Sequence, residues 1–354
     1  MKKPALYYKK LENDVVQCKI CPRMCKIYPN KIGICGTRKN EGGRLYTLIY
    51  GSLSSIAIDP IEKKPLYNFF PGSSAFSISS VGCSLHCKHC QNYSISQTNV
   101  ESTKRFLKEK TSDDVVEMAA SNNCTSIAYT YNEPLIWFEF ILDTIKLAKK
   151  AEIKNILVTN GYINLDPLEE LIKAGVDAAN VDIKAFTDEF YQKVCLTPKG
   201  GFNRVIEATE YMHKKGVFVE CTNLIIPGYN DDLSEITNLA KWVKNSLAID
   251  VPLHFSAYRP MYKLNAPRTP YETIINACKI AYEEVGLHYV YAGNVSIDEY
   301  ENTYCPKCRN TIIKRVGYSI TLKNLTQKNT CSNCDTKIKI KGNVKTGRRK
   351  LSFF

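Results

Sequence analysis

The sequence GCSLHCKHCQN, residues 82–92, places three cysteines in the spacing CxxxCxxC and contains no fourth cysteine. The three are Cys83, Cys87 and Cys90. A closed structural zinc site uses four ligands. An iron–sulfur cluster bound by only three thiolates leaves one iron with a free coordination position for a group that is not protein. The stretch therefore predicts an open metal cluster that binds a small molecule.

Two other interpretations of this stretch compete with the open cluster. The first is a chance group of buried cysteines, and a polar loop that begins with glycine argues against it because such a loop is a poor place to bury thiols. The second is a zinc site completed by His86 or His89. The types of ligand present do not exclude this zinc site.

Length and composition indicate a large α/β protein with additional segments. The chain has 354 residues and 44% hydrophobic residues, which is enough for a sizeable core. It begins MKKPALYYKK, and no apolar run of the length of a signal peptide or a membrane span follows. We therefore expect a cytoplasmic protein that is neither secreted nor in a membrane.

Fifteen cysteines are unusual for a protein of the reducing cytosol unless most of them bind metal. A second group of cysteines lies near the N-terminus, and its spacing suits either zinc or an auxiliary iron–sulfur cluster. A third group consists of two CxxC pairs that lie 22 residues apart, and it predicts a zinc-ribbon-like module. The second group is Cys18, Cys21, Cys25 and Cys35, and the third is Cys305, Cys308, Cys331 and Cys334.

The four remaining cysteines are scattered singly through apolar or helical stretches, so we expect small buried hydrophobic side chains there. They are Cys124, Cys195, Cys221 and Cys278.

The net charge of +13 is concentrated at the two ends of the chain that carry the extra cysteines. Residues 1–40 have a net charge of +8, and residues 41–304 have −7. Residues 305–354 carry thirteen Lys and Arg against Asp335 alone, which gives +12. This segment either forms a solvated face or binds an acidic protein or RNA. Residues 337–354, which include Arg348, Arg349 and Lys350, predict a flexible basic tail.

From about residue 74 to residue 293, short apolar runs typical of β-strands alternate with amphipathic helical patterns. This alternation predicts a parallel sheet that forms a partial or full β/α barrel. We expect an N-terminal Cys-rich and extended segment at 1–72, the barrel core at 73–296, and the zinc-ribbon-like module with its basic tail at 297–354. The predicted strands are 75–80, 126–131, 155–160, 178–184, 217–226, 253–258 and 289–292, and the predicted helices are 112–121, 135–150, 165–174, 203–214, 233–243 and 271–285.

Chemistry in such barrels occurs at the carboxyl ends of the strands. The first predicted strand leads into the cysteine loop, the second into TYNEP at 130–134, and the third into Thr159 and Asn160. The fourth ends with Asp182 and Lys184, which point to the same side because alternate residues of a strand do so. Thiols, a carboxylate, a hydroxyl, an amide and an ion pair are thus predicted at one rim.

Six motifs of the chain together carry a family resemblance. The motifs are DPIEKKPLYNFFPG (59–72), GCSLHCKHCQN (82–92), TYNEP (130–134), VDIKAF (181–186), IPGYNDD (226–232) and YAGNV (291–295). They resemble the radical S-adenosylmethionine (SAM) superfamily. The likeness is greatest to the branch of the pyruvate formate-lyase activating enzymes and, within it, to the radical enzyme of the AmmeMemoRadiSam system.

The resemblance implies a cofactor and a reaction. SAM would occupy the open iron of a 4Fe-4S cluster held by the three loop cysteines. Reductive cleavage would then give a 5′-deoxyadenosyl radical that abstracts hydrogen from a substrate, with ferredoxin or flavodoxin as the one-electron reductant. The substrate itself is not readable from the sequence.

The resemblance also implies roles for residues at the strand exits. Glu133 would bind the ammonium group of SAM, although Tyr131 and Asn132 replace the glycines usual in that turn. Thr159 and Asn160 would lie beside SAM, and Asp182 and Lys184 would contact its ribose and carboxylate. A carboxylate that caps the following helix is the alternative for Glu133, and a structural ion pair is the alternative for Asp182 with Lys184.

Two other functions remain open. One is an activating enzyme that abstracts hydrogen from a glycine of a glycyl-radical enzyme. The other is a metal-stabilised RNA-binding protein in which the barrel is only a scaffold.

Overall fold

The computed structural model of the chain describes residues 1–347 and 352–353. Arg348, Arg349 and Lys350 of the predicted tail lie outside these residues. The N-terminal region consists of short strands with antiparallel partners. They are β1 (Lys3–Pro4), β2 (Tyr8–Lys10), β3 (Val16–Cys18), β4 (Lys26–Ile27), β5 (Arg38–Glu41), β6 (Arg44–Thr47), β7 (Ser52–Leu53) and β8 (Ser55–Pro60).

The central strands follow, and all except the short β10, which was not predicted, agree with the predicted ones to within a few residues at each end. They are β9 (Ser74–Ser79), the short β10 (Lys108–Glu109), β11 (Ser126–Tyr129), β12 (Lys154–Thr159), β13 (Ala178–Asp182), β14 (Phe218–Ile225), β15 (Leu253–Ala257) and β16 (Val290–Gly293). The C-terminal region adds β17 (Thr303–Tyr304), β18 (Thr311–Val316), β19 (Ser319–Leu322) and β20 (Ser352–Phe353).

The main sheet of the described chain has nine strands in the order β16-β15-β14-β13-β12-β11-β9-β8-β20. The run from β9 to β16 is parallel throughout, and β8 joins its edge antiparallel to β9. Every residue of β11 and β15 is buried, as expected for a sheet covered on both faces. The sheet stays open between β16 and β20, so the fold is the predicted mixed α/β fold with a partial barrel.

The helices connect the parallel strands. They are α1 (Tyr93–Ser96), α2 (Val100–Thr103), α3 (Ser112–Ser121), α4 (Phe138–Lys150), α5 (Leu165–Ala174), α6 (Asp188–Lys193), α7 (Gly201–Lys214), α8 (Leu233–Trp242), α9 (Tyr271–Lys279) and α10 (Asp298–Glu301). Local sequence sets the start of α3, where Thr111 and Asp114 form a reciprocal capping box. Two predicted helices end differently, because π-helical segments at Val243–Leu247 and Ile280–Glu284 complete α8 and α9. The six-residue α6 is absent from the prediction.

The loop after β8 fills the amino-terminal end of the barrel. Leu66 and Phe69 are buried in one apolar cluster with Ala75 and Ala178. Ala75 lies near the start of β9, and Ala178 is the first residue of β13. Glu220 of β14 fixes the loop, because its two carboxylate oxygens accept the backbone N–H groups of Tyr67 and Asn68 at 3.0 and 2.8 Å. The barrel is therefore closed at the end opposite to the carboxyl ends of its strands.

The C-terminal region packs against this closed end. The Asn68 side chain donates to the carbonyl of Lys339 at 2.9 Å, and Lys345 Nζ donates to Thr125, just before β11, at 2.9 Å. Ile338 and Ile340 are buried. The prediction of a flexible tail is therefore wrong for residues 337–347, because alternate apolar side chains among the lysines have a surface to bury against. Cys124, Cys195, Cys221 and Cys278 are buried, as predicted.

Candidate active site

The CxxxCxxC loop leaves the carboxyl end of β9 through Gly82. Gly82 has a φ of +84°, and a Cβ atom on it would lie 2.3 Å from the carbonyl oxygen of Cys35. Glycine avoids both the left-handed strain and this overlap. Further along the loop, the N–H groups of His86 and Lys88 donate to the carbonyls of Cys195 and Val194 at 3.1 and 2.9 Å. The backbone of the loop is therefore fixed on both sides.

The loop opens onto a cavity of about 310 Å³ at the carboxyl ends of the parallel strands. The structure brings every predicted residue of the radical site to this one cavity. The lining includes Cys83, Cys87, Cys90, Glu133, Thr159, Asn160, Asp182 and Lys184.

The three cysteines are more enclosed than the sequence suggested. Cys83 and Cys87 are buried, so the argument that a polar loop would keep its thiols exposed is wrong. Burial and the nearby Glu133 raise the pKa of Cys83 well above its usual value. The Cys195 thiol and burial do the same for the pKa of Cys87. Thiols of this kind become thiolates when a metal displaces their protons.

The zinc alternative with a histidine has no support in the described part of the chain. His86 Nδ1 lies 2.8 Å from Gln97 Oε1. Among the described residues, the three loop cysteines form no group of ligand atoms within 4.8 Å of one another, with or without a histidine. His89 is buried against the cavity, and its Nδ1 has no hydrogen-bond partner. Burial and the positive charge of Lys184 lower the pKa of His89 to about 3, so its ring is neutral.

Glu133 is a buried carboxylate held by three donors. Thr159 Oγ1 and the Leu135 N–H donate to its Oε1 at 2.7 and 2.9 Å, and the Asn160 N–H donates to its Oε2 at 2.9 Å. Burial raises the pKa of Glu133 to about 7, and these hydrogen bonds oppose the shift. The bond from Leu135 shows that Glu133 caps the 3₁₀ turn Pro134–Trp137. The capping alternative is therefore present, together with a position on the cavity wall.

Asn160 links the carboxylate to the cysteine loop. Its backbone binds Glu133, and its side-chain Nδ2 lies 3.5 Å from Cys83 Sγ and 3.5 Å from Ser84 Oγ. Its Oδ1 accepts the N–H of Tyr162 at 2.9 Å, which fixes the amide orientation. The amide is thus positioned to donate to a sulfur of a group held in the loop.

Asp182 and Lys184 form an ion pair at the end of β13. Lys184 Nζ lies 2.6 Å from Asp182 Oδ2. Burial disfavours the charged lysine, but Asp182 and then Cys87 outweigh it and raise the pKa of Lys184. The structural ion pair of the alternative interpretation is therefore present. Both side chains also line the cavity, so the pair remains available to a ligand.

Sequence reasoning missed a buried network beside the cavity. Asp59 accepts hydrogen bonds from Lys63 at 2.9 Å, from Lys64 at 2.6 Å and from the hydroxyl of Tyr131. Burial alone would raise the pKa of Asp59, but the charge of Lys64 lowers it below its usual range. Lys63 and Tyr131 line the cavity, and Tyr131 has a φ of +70°. The two adjacent lysines of DPIEKKP were the feature of the sequence that could have indicated this network.

The C-terminal cysteines form the compact group that their spacing predicts. Their four Sγ atoms lie within 4.8 Å of one another, with Cys305 to Cys334 at 3.5 Å and Cys308 to Cys331 at 3.6 Å. The hydrogen bond between the Cys334 sulfur and the Thr336 hydroxyl lowers the pKa of Cys334 to about 6. Four sulfurs at these distances fit one tetrahedral metal ion such as zinc. The four N-terminal cysteines line a second, separate cavity.

The comparisons with known proteins agree with the barrel and its cysteine loop. The model of the radical SAM superfamily matches residues 77–243. An uncharacterized protein of Methanocaldococcus jannaschii is 43% identical over 338 residues, which cover 95% of this chain and 98% of the relative. The chain belongs to the radical SAM superfamily. The likeness to the M. jannaschii protein extends beyond the barrel into both cysteine-bearing ends.

Two further relatives show the branch and the fold of this radical SAM protein. The pyruvate formate-lyase-activating enzyme of Clostridium pasteurianum is 29% identical over 192 residues, covering 52% of this chain and 77% of that enzyme. A crystal structure of Streptococcus suis SuiB bound to S-adenosylmethionine has a TM-score of 0.51 and 14% identity, covering 68% of this chain and 55% of SuiB. The second likeness shows the fold alone. The chain is an enzyme with activating-enzyme homologues. None of the helices in its described part has the length and apolar character needed to cross a membrane.

Proposed function

We propose that this enzyme binds a 4Fe-4S cluster through Cys83, Cys87 and Cys90, and binds SAM in the adjoining cavity. The observation that carries the proposal is that three thiols and five polar side chains from consecutive strand ends meet at this one cavity. When bound, such a cluster would supply the one electron that cleaves SAM to methionine and a 5′-deoxyadenosyl radical, and the radical would take a hydrogen atom from a substrate.

Glu133 is suited to the ammonium group of SAM. A carboxylate has about four acceptor sites, and the protein uses three of them through Thr159, Leu135 and Asn160. About one acceptor site remains for the ligand. The three internal donors hold the carboxylate in place, so binding the ammonium requires no rearrangement of Glu133.

Asp182 and Lys184 are suited to the other polar groups of SAM. When a ligand enters, Lys184 can donate to a carboxylate while Asp182 accepts hydrogen bonds from ribose hydroxyls. Once SAM fills the cavity, it would displace water from this region, which would strengthen these interactions and protect a reactive radical. A low-potential one-electron donor such as ferredoxin or flavodoxin completes the requirements.

The activating-enzyme relatives favour one specific substrate class as a second candidate. The C. pasteurianum relative is named as a pyruvate formate-lyase-activating enzyme, so we include hydrogen abstraction from a glycine of a protein partner. Membership of the AmmeMemoRadiSam system stays a prediction. So does the docking of an acidic protein or RNA by the basic C-terminal region, and we propose zinc for its four cysteines.

The test is anaerobic reconstitution followed by reduction with dithionite in the presence of SAM. Wild-type enzyme should release 5′-deoxyadenosine, and Cys87→Ala should not. Cys278→Ala is the matched control, because it removes a buried thiol from α9, away from the cavity. Failure of the fully loaded wild-type enzyme to bind SAM would overturn the proposal.

A further inference from the structure

The second cavity lies between the N-terminal segment and the barrel, and the proposed radical site uses none of its cysteines. All four N-terminal cysteines line it. Much of the remaining wall is apolar and includes Ile20, Ile27 and Ile136. Cys18 is buried, and Cys21, Cys25 and Cys35 are half-buried. Four thiols around one cavity form a donor set that suits a metal.

The spacing of the sulfurs separates this set from a mononuclear zinc site. Zinc–sulfur bonds of about 2.3 Å place tetrahedral sulfurs about 3.8 Å apart. The C-terminal cysteines have this spacing, at 3.5 and 3.6 Å for two of their pairs. Among the described residues, they are the one group of three or more His, Cys, Asp or Glu ligands within 4.8 Å of one another. No three of the four N-terminal sulfurs lie within 4.8 Å of one another, although all four cysteines line one cavity.

Arg38 provides a second, independent observation. It is 1% exposed and lines the cavity. Two of its nitrogens bind the carboxylate of Glu139 at 3.0 and 2.8 Å, whereas its Nε has no hydrogen-bond partner. The guanidinium interacts electrostatically with Cys18 and Cys35. A buried donor beside thiolates is what an anionic metal–sulfur group uses, because hydrogen bonds to sulfur and nearby positive charge stabilise it.

We propose that Cys18, Cys21, Cys25 and Cys35 bind a second 4Fe-4S cluster, with Arg38 as its buried hydrogen-bond donor. A mononuclear zinc would require the four sulfurs to close into the cavity, to about 3.8 Å from one another. With a thiolate on every iron, this cluster has no open position for a small molecule. Its chemistry is therefore electron transfer.

The two cysteine sets share one short piece of backbone. Ser84 lines the second cavity, whereas its neighbour Cys83 lines the first. Arg23 Nε donates to the carbonyl of Ser84 at 2.5 Å, and the carbonyl of Cys35 faces Gly82. The proposed cluster is therefore adjacent to the radical site, at a position from which an electron can pass between the two.

The test measures iron, sulfide and zinc after the radical-site cysteines have been removed, so it does not depend on the proposed function. The variant Cys83→Ala/Cys87→Ala/Cys90→Ala is reconstituted anaerobically with ferrous iron and sulfide. We expect about four iron and four sulfide per chain, with a Mössbauer spectrum of a 4Fe-4S cluster, against about eight iron in wild type. We expect about one zinc, bound by the C-terminal cysteines.

Two further variants complete the test. Adding Cys21→Ser to the triple variant should remove the remaining iron, whereas adding Cys124→Ser, a matched buried thiol outside the site, should not. About two zinc per chain, or no iron in the triple variant, would overturn the proposal. If the triple variant does not fold, the wild-type count decides, since about four iron instead of eight also contradicts the proposal. In that case, SAM cleavage by the wild-type enzyme would still support the proposed radical site.

Discussion

Replacing Gly82 by alanine tests how the cysteine loop is held in place. Gly82 has a φ of +84°, and an added Cβ would meet the Cys35 carbonyl oxygen at 2.3 Å and the Thr37 side chain at 2.6 Å. Non-bonded Cβ atoms keep at least 3.0 Å, so the Cys35 backbone or the loop must move by about 0.7 Å. The left-handed conformation costs about 1–2 kcal/mol for alanine, and overpacking adds about 1–3 kcal/mol. We expect a loss of about 2–5 kcal/mol in the free energy of unfolding.

Gly216→Ala is the matched control for this prediction. Gly216 also has a φ of +84°, but an added Cβ has no neighbour within 4 Å. The free energy of unfolding of Gly216→Ala should therefore fall only by the conformational cost, about 1–2 kcal/mol. The assay is urea unfolding of both metal-free variants, together with the iron content after reconstitution. Gly82→Ala should also bind less iron than the control because the loop moves. Equal stability and equal iron in the two variants would show that Gly82 does not hold the cysteine loop in place.

Three further predictions follow from the site and the packing around it. Asp182→Asn and Lys184→Ala should each weaken SAM binding, measured by calorimetry on the reconstituted enzyme, without loss of iron; unchanged affinity in both would make the pair purely structural. Glu220→Leu should lower the free energy of unfolding by about 3 kcal/mol, because it leaves the Tyr67 and Asn68 N–H groups without an acceptor; a urea midpoint equal to wild type would contradict this. The pKa of Asp59 is lowered from its usual 3.8, so its stabilising effect is complete above that pH and is lost as the pH falls through the lower folded value. Asp59→Asn should therefore reduce the stability lost on acidification below about pH 4, as followed by urea unfolding across pH.

Local sequence was sufficient to predict the barrel and its rim. The parallel strands are buried apolar runs separated by amphipathic helices, so their positions follow from periodicity. The positions of Glu133, Thr159 and Asp182 follow as well, because the carboxyl ends of neighbouring parallel strands meet at one edge. The C-terminal group of four cysteines could be predicted from the spacing of its two CxxC pairs alone.

Contacts between distant segments could not be predicted in this way. Arg38 pairs with Glu139, 101 residues away, and the C-terminal region packs on the loop around Asn68. No periodic pattern in the sequence around either segment indicates which distant segment it contacts. Tyr131 has a left-handed φ of +70°, and its hydroxyl donates to the buried Asp59, which is remote from it in the sequence. The burial of Cys83 and Cys87 was missed for the same reason, since segments remote in sequence cover the loop.

The missing fourth cysteine should leave one iron free for the methionine end of SAM. Electron–nuclear double resonance tests this on the reduced cluster of an N-terminal variant, Cys21→Ser, with SAM labelled by ¹⁵N at the amino group and by ¹⁷O at the carboxylate. We expect hyperfine coupling of the cluster to both labels, and no coupling in Cys87→Ala. A reduced cluster that binds SAM without coupling to either label would show that SAM does not occupy the open iron.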